Sequence, residues 1–170
     1  MKRGQIAQMS KIPKNMQVVL ADMRLGWRVI NYLQRDAVLK GVLKGKYGDA
    51  HSNFGSFWHN MDEFMPALRQ DRLYVVLDSR HHLMAYFITR HSLEPDGRNG
   101  TLPIDIFEVL PKYRKRGVGS FTVSWLEGKA SLAGFDSLRV LPANGSDNFW
   151  DKRGFNPWGD SHGFLFLPIA

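Results

Sequence analysis

Apolar and polar positions change period several times along the chain, and each change marks an element. Trp27, Ile30 and Leu33, then Val38, Leu39, Val42 and Leu43, recur at helical spacing. Leu25–Leu43 is therefore predicted as helix, with room for one break. Met16–Leu20 before it is short and apolar enough for a strand, and Met61–Gln70 after it has the pattern of a short helix. Leu73–Leu77 and Leu83–Thr89 are dense in β-branched and apolar residues and flank Asp78-Ser79-Arg80-His81-His82, which predicts a hairpin. Pro95–Gly100 reads as a turn and Leu102–Val109 as a third strand of this group. From Val118 the positions Val118, Phe121, Thr122, Trp125, Leu126, Leu132 and Ala133 return to helical spacing and stop at Gly134. Leu138–Leu141 is a short buried strand, and Ser146 or Asp147 can cap a brief helix through Arg153 that Gly154 ends. Gly163–Ile169 makes the last strand. The predicted class is mixed α/β.

Composition narrows the setting. A chain of 170 residues, 44% hydrophobic with 11 Phe and 5 Trp, suits one core-forming domain spanning residues 1–170. The absence of cysteine excludes a disulfide framework, a thiolate zinc site and a cysteine nucleophile. No apolar run reaches membrane-spanning length, and Met1–Lys14 lacks the apolar middle of a signal peptide. A soluble, cytoplasmic protein with no membrane partner is expected. The net charge of +7, from 23 Lys and Arg against 16 Asp and Glu, favours anionic partners such as a phosphorylated cofactor or nucleic acid. His51, His59 and Asp62, like the pair His81-His82, follow no ligand spacing, so no metal is expected. The loop Tyr47–Asn60 carries Phe54, Phe57 and Trp58, which with Trp27 either pack on the core or wall an acceptor pocket.

One segment carries most of the chemistry. Val109–Gly119 holds Lys112, Arg114, Lys115, Arg116, Gly117 and Gly119 between a predicted strand and a predicted helix. Unpaired helix-end N–H groups and the positive end of the helix dipole meet there, which suits phosphate. The glycines allow a tight bend and a close ligand approach. The sequence Gly-Val-Gly-Ser lacks the Gly-Lys-Ser/Thr of a Walker loop, and a dinucleotide fingerprint wants three glycines near the first strand.

The string V-L-P-K-Y-R-K-R-G-V-G at Val109–Gly119 resembles the acyl-CoA-binding motif of the GNAT superfamily of N-acetyltransferases. F-W-D-K-R-G-F at Phe149–Phe155 resembles that superfamily's F-Y-x-K-x-G-F helix end, and Asn144 matches the asparagine that commonly precedes it. The resemblance covers roughly Leu73–Ala170. It implies the GNAT acyl-CoA N-acyltransferase fold, a mixed, mostly antiparallel central sheet flanked by helices. Residues 71–170 would be the acetyl-CoA-binding core and residues 1–70 a helical acceptor-side region. Acetyl-CoA is the implied cosubstrate. Its pyrophosphate would be held at the backbone of Arg114, Lys115, Arg116, Gly117, Val118, Gly119 and Ser120, with Asn144 and Phe149 also on the cofactor side. Pantetheine would pair at Val109 and Leu110, where a backbone N–H can polarise the thioester carbonyl.

The implied chemistry is direct attack of a deprotonated amine on the thioester. Asp105 and Glu108 are the candidate bases, each with an alternative role in a structural ion pair. On a regular pleat Asp105 shares a face with Phe107 and Val109, and Glu108 with Ile104 and Ile106. A β-bulge, typical of the superfamily at this strand, would swap the later assignment. Trp150 stands where the superfamily places a tyrosine that protonates the leaving thiolate, and an indole N–H does not ionise usefully. Ser146, Tyr113 and Tyr86 are the alternative proton donors. Two functions follow. One is an acetyl-CoA-dependent N-acetyltransferase, monomer or homodimer, acting on a primary amine of a protein, a small molecule or an aminoacyl-tRNA. The other is a GNAT-fold binding or regulatory protein that holds CoA without turnover.

Overall fold

The computed structural model describes residues 15–39, 63–95, 99–143, 145–159 and 162–169. The loop Tyr47–Asn60, and with it His51 and His59, lies outside these residues, as do Asp62 and Asn144. The chain forms β1 (Gln17–Leu20), α1 (Met23–Leu39), α2 (residues 63–69), β2 (Leu73–Leu77), β3 (Leu83–Thr89) and β4 (Thr101–Val109). A 3-10 turn at Pro111–Tyr113 leads into α3 (Val118–Ala133), followed by β5 (Ser137–Val140), α4 (Asp147–Asp151) and β6 (Leu165–Pro168). The strands make a six-stranded sheet in sequential order. Every neighbouring pair is antiparallel except β4 and β5, which are parallel. The mixed, mostly antiparallel sheet with flanking helices is the expected class.

Local chemistry accounts for the boundaries. Helix α1 starts earlier than its apolar stripe suggests because Asp22 Oδ1 accepts the Leu25 N–H at 2.8 Å, satisfying one of the orphan donors of the first turn. Its buried face is Leu25, Val29, Ile30 and Leu33, whereas Trp27, counted in the stripe, is 52% exposed. Helix α3 ends at Gly134, left-handed at φ 97°, with the Phe135 N–H reaching back to Ala130 O at 3.0 Å. Leu132 falls on the solvent side of that helix. Helix α4 stops at Asp151, and a turn carries the chain through Arg153 to Gly154, at φ 85°. Ser146 holds the cap position of α4 without capping it, because its hydroxyl donates to Ala143 O at 2.7 Å. Strand β5 ends at Val140, one residue earlier than predicted, and Leu141 is exposed.

Strands β2 and β3 lie mid-sheet with helices on both faces, so almost every position is buried and the polar alternation of a half-exposed strand is missing. Helix α1 packs on β3 from one side, while α3 packs on β3, β4 and β5 from the other. On the α3 side Tyr74, Phe87 and Phe107 form a stack across three strands, with centroids 5.1 and 6.2 Å apart. Trp125 of α3 closes on it, 5.5 Å from Tyr74 and 6.0 Å from Phe87. Offset and tilted rings at these distances add to the burial of apolar area. Phe87→Ala is expected to lower unfolding free energy by about 3–5 kcal/mol, the range for a truncated buried aromatic. Chemical denaturation checks this, with Phe87→Leu losing distinctly less.

Candidate active site

The sheet opens at one place. Strand β4 runs over nine residues, but β5 pairs only with Thr101, Leu102, Pro103 and Ile104. Beyond Ile104 the strand continues along β3 alone. Glu108 pairs opposite Tyr86, and the Leu110 N–H donates to Met84 O at 2.9 Å. Antiparallel pairing alternates, so the N–H and C=O groups of Phe107 and Val109 point the other way, into the gap that β5 has left. The Val109 carbonyl accepts Arg114 Nε at 2.8 Å. Of Val109 and Leu110, then, it is Val109 whose N–H faces the gap.

A bulge sorts the side chains. Ile88 lies opposite Ile106, and Thr89 opposite Ile104, which leaves Asp105 as the extra residue. Ile104 therefore shares a face with Phe107, and Glu108 shares the α1 face with Ile106. This is not the parity of a regular pleat. Asp105 is engaged by Arg90, with Nη2 at 2.6 Å from Oδ1 and Nε at 3.5 Å from Oδ2. Glu108 gathers groups from three other segments. Its Oε2 accepts the hydroxyl of Tyr86, a residue only 1% exposed, and its Oε1 accepts that of Tyr32 from α1 at 3.5 Å. Arg114 Nη2 stands 3.9 Å from Oε1, and the Glu108 side chain remains 22% exposed.

Past the strand the backbone turns sharply. Lys115 and Gly117 take positive φ values of 58° and 82°, and α3 begins directly after. Its first internal bond runs from the Phe121 N–H to Gly117 O at 3.0 Å, and no side chain caps this end. The N–H groups of Val118, Gly119 and Ser120 thus have no acceptor within the helix, and the helix dipole adds its positive end there. Lys112 and Arg116 each lie 5.6 Å from the centre of the Tyr113 ring, and Lys115 is exposed.

Gly119 has a tenant of its own. An added Cβ would sit 2.6 and 2.8 Å from two carbons of the Phe149 ring. The missing side chain thus admits Phe149, and room for a ligand is not needed to explain this glycine. Phe149 in turn packs edge-on against Trp150, at 4.8 Å. Trp150 is 5% exposed and also meets Phe107 at 5.1 Å and Phe155 at 5.0 Å, so it is a member of the core. Of the alternative proton donors, Tyr113 is buried under two cations, Tyr86 donates to Glu108 and Ser146 donates to Ala143.

Arg153 adds a group that the two motifs do not single out. Its guanidinium carbon lies 3.8 Å above the Phe149 ring centre, Nη1 donates to Phe149 O at 2.8 Å, and Nη2 donates to Ser120 Oγ in the first turn of α3. Nε is buried with no hydrogen-bond partner, and desolvation pulls the guanidinium pKa below its ordinary value. Among the described residues no carboxylate pairs with it. The available signal was the four-residue interval from Phe149, which stacks the two side chains over one turn. Among the described residues no group of three His, Asp or Glu is placed to hold a metal ion, and no helix is long and apolar enough to cross a membrane.

Solved structures share this architecture at low sequence identity. A GNAT-family acetyltransferase from Listeria monocytogenes 4b F2365 superposes with a TM-score of 0.63 at 15% identity, covering 91% of this chain and 95% of that one. The PaiA N-acetyltransferase from Thermoplasma acidophilum, solved in complex with coenzyme A, gives 0.64 at 8% identity over 92% and 99% of the two chains. N-acetylglutamate synthase from Neisseria gonorrhoeae, complexed with coenzyme A and N-acetyl-glutamate, gives 0.59 at 14% identity over 91% of this chain and 35% of its own. No protein-family model matches the sequence, and no curated protein matches it. The chain has the fold of the GNAT acetyltransferases, the fold implied by its two motifs.

Gly119→Val forces the Phe149 ring out of its seat, at an expected cost of about 1–3 kcal/mol of stability without any ligand present. Thermal or urea unfolding of the unliganded protein checks it. An unchanged stability would show that the ring is not held at Gly119.

Proposed function

We propose that this protein is an acetyl-CoA-dependent N-acetyltransferase that acetylates a primary amine, with Glu108 taking the amine's proton. The observation that carries this reading is a convergence at one end of β4. An unpaired strand edge at Phe107 and Val109, an uncapped helix start at Val118–Ser120 and a carboxylate held by two tyrosines all meet there. These groups fit the cosubstrate: amides along an arm can pair with a strand edge, and a pyrophosphate suits uncapped N–H donors.

Bound acetyl-CoA would supply a thioester whose carbonyl an amine can attack with the thiol leaving. The chain's own residues do the rest. Phe107 and Val109 hold the arm in line with the sheet, and the Val109 N–H is the donor for the carbonyl oxygen, since that of Leu110 is committed to Met84. Ser120, Gly119 and Val118 hold the phosphates. An ammonium cannot attack, so Glu108 removes its proton directly or through one water. Tyr86 and Tyr32 fix the carboxylate, and Arg114 ties the loop to it. Asp105, locked to Arg90 at the bulge, has the structural role. The leaving thiolate takes its proton from solvent, because Trp150 cannot supply one.

The acceptor is an amine on a protein, a small molecule or an aminoacyl-tRNA. The burial of Trp150 with Ser146 and Tyr86 otherwise engaged favours a second reading, a protein that holds CoA without turnover.

Incubation with acetyl-CoA and pooled amine, peptide and aminoacyl-tRNA acceptors, following free thiol, separates the two. Acceptor-dependent thiol release is expected, with Glu108→Gln slowing it about 100-fold or more and Asp105→Asn leaving it within about threefold. Tight acetyl-CoA binding without release for any acceptor would support the binding module instead. Failure to bind acetyl-CoA would remove both readings.

A further inference from the structure

Arg153 is a cation in an unfavourable place. It has given up part of its hydration, its buried Nε has no partner, and no described carboxylate balances it. It also lies against the first turn of α3, where the helix dipole is positive and three N–H groups lack acceptors. Two positive features side by side, both short of acceptors, raise the free energy of the unliganded state.

Resting on the acetyltransferase reading, we propose that Arg153 is a pyrophosphate ligand of the coenzyme, closing the phosphate site from the α4 side. The hydrogen-bond directions fit. Ser120 Oγ accepts from Arg153 Nη2, so the Ser120 hydroxyl keeps its own hydrogen for a phosphate oxygen. A guanidinium carries five N–H donors in a planar fork, and the two described bonds, to Phe149 O and Ser120 Oγ, leave others on the same fork. Stacking on Phe149 fixes the plane of the fork, so little side-chain freedom is lost when an anion arrives. Phe149 is itself seated at Gly119. The second motif therefore serves the first: its ring and its arginine complete the phosphate site opened by the glycine loop. A purely structural pin between α4 and α3 needs only the two bonds to Phe149 and Ser120. A neutral donor would make those bonds without a desolvated charge.

The test compares three probes by isothermal titration: coenzyme A, 3′-dephospho-coenzyme A and pantetheine. Arg153→Gln is expected to weaken coenzyme A and 3′-dephospho-coenzyme A by a common factor of about 10- to 100-fold, the range for a hydrogen bond to a charged group. The affinity for pantetheine should not change, and Arg153→Lys should recover part of the loss. Equal coenzyme A affinity in wild type and Arg153→Gln would overturn the proposal. So would a loss confined to coenzyme A, which places the contact at the 3′-phosphate, or a loss that extends to pantetheine, which marks a structural role. Thermal melting of the unliganded variants checks their folding. If Arg153→Gln does not fold, Ser120→Ala carries the same comparison, with a smaller loss in the same phosphate-dependent pattern expected and a loss blind to phosphate overturning it. A wild-type protein that binds none of the three probes would fail the acetyltransferase reading, a result distinct from equal binding by wild type and variant.

Discussion

Backbone N–H and C=O groups inside a sheet are matched by a neighbouring strand, and β4 loses its neighbour on one side at Ile104. From that point two rungs, at Phe107 and Val109, face a gap. The loss follows from β5 ending at Val140 while β4 runs on to Val109. The same arrangement fixes where α3 begins, because the chain leaves the open end of β4 and turns within a few residues into the helix. Strand edge and helix start therefore both present donors that no described strand or cap matches. Neither feature alone defines a ligand; together they suit the extended, amide-bearing, phosphate-tipped arm of the proposed cosubstrate.

The bulge at Asp105 sets the chemistry on either face of β4. By adding one residue to β4 it puts Ile104 and Phe107 on the aromatic α3 face, and turns Glu108 toward Tyr32 and Tyr86. Without it Asp105 would share the face of Phe107, beside a layer of rings, where an unpaired charge is costly. With it, Asp105 reaches Arg90 at the surface and Glu108 occupies a polar nook at the end of the open edge. One extra residue gives the two carboxylates different company: an arginine for Asp105, two tyrosines for Glu108.

Much of the fold was legible because the apolar periods are strong. The hairpin of β2 and β3, the stripe of α3 and the glycine stop at Gly134 all follow from local pattern and local sterics. What stayed hidden depends on pairing. No single-chain period reports that Ile88 meets Ile106 while Thr89 meets Ile104, so the bulge and the faces of Asp105 and Glu108 could only be left open. The glycine loop was legible as a sharp turn into a helix start, but the occupant of Gly119 is a ring from thirty residues further along, and proximity of that kind carries no local signal. Arg153 was hidden for the same reason: its meaning lies in Ser120 and Phe149, and in the lack of a carboxylate partner among the described residues. Trp150 departs from the tyrosine pattern, and its burial among Phe107, Phe149 and Phe155 gives the physical reason a large apolar ring is accepted there.

The central claim is that the open edge of β4 and the start of α3 form one binding surface for an acyl-CoA. Backbone amide NMR of the 15N-labelled protein during titration with coenzyme A tests it residue by residue. The account predicts that the amides of Phe107, Val109, Val118, Gly119 and Ser120 shift together along one saturating curve, while that of Leu110, already bonded to Met84, moves far less. Saturable shifts centred elsewhere, or shifts at the helix start without any at Phe107 and Val109, would contradict it.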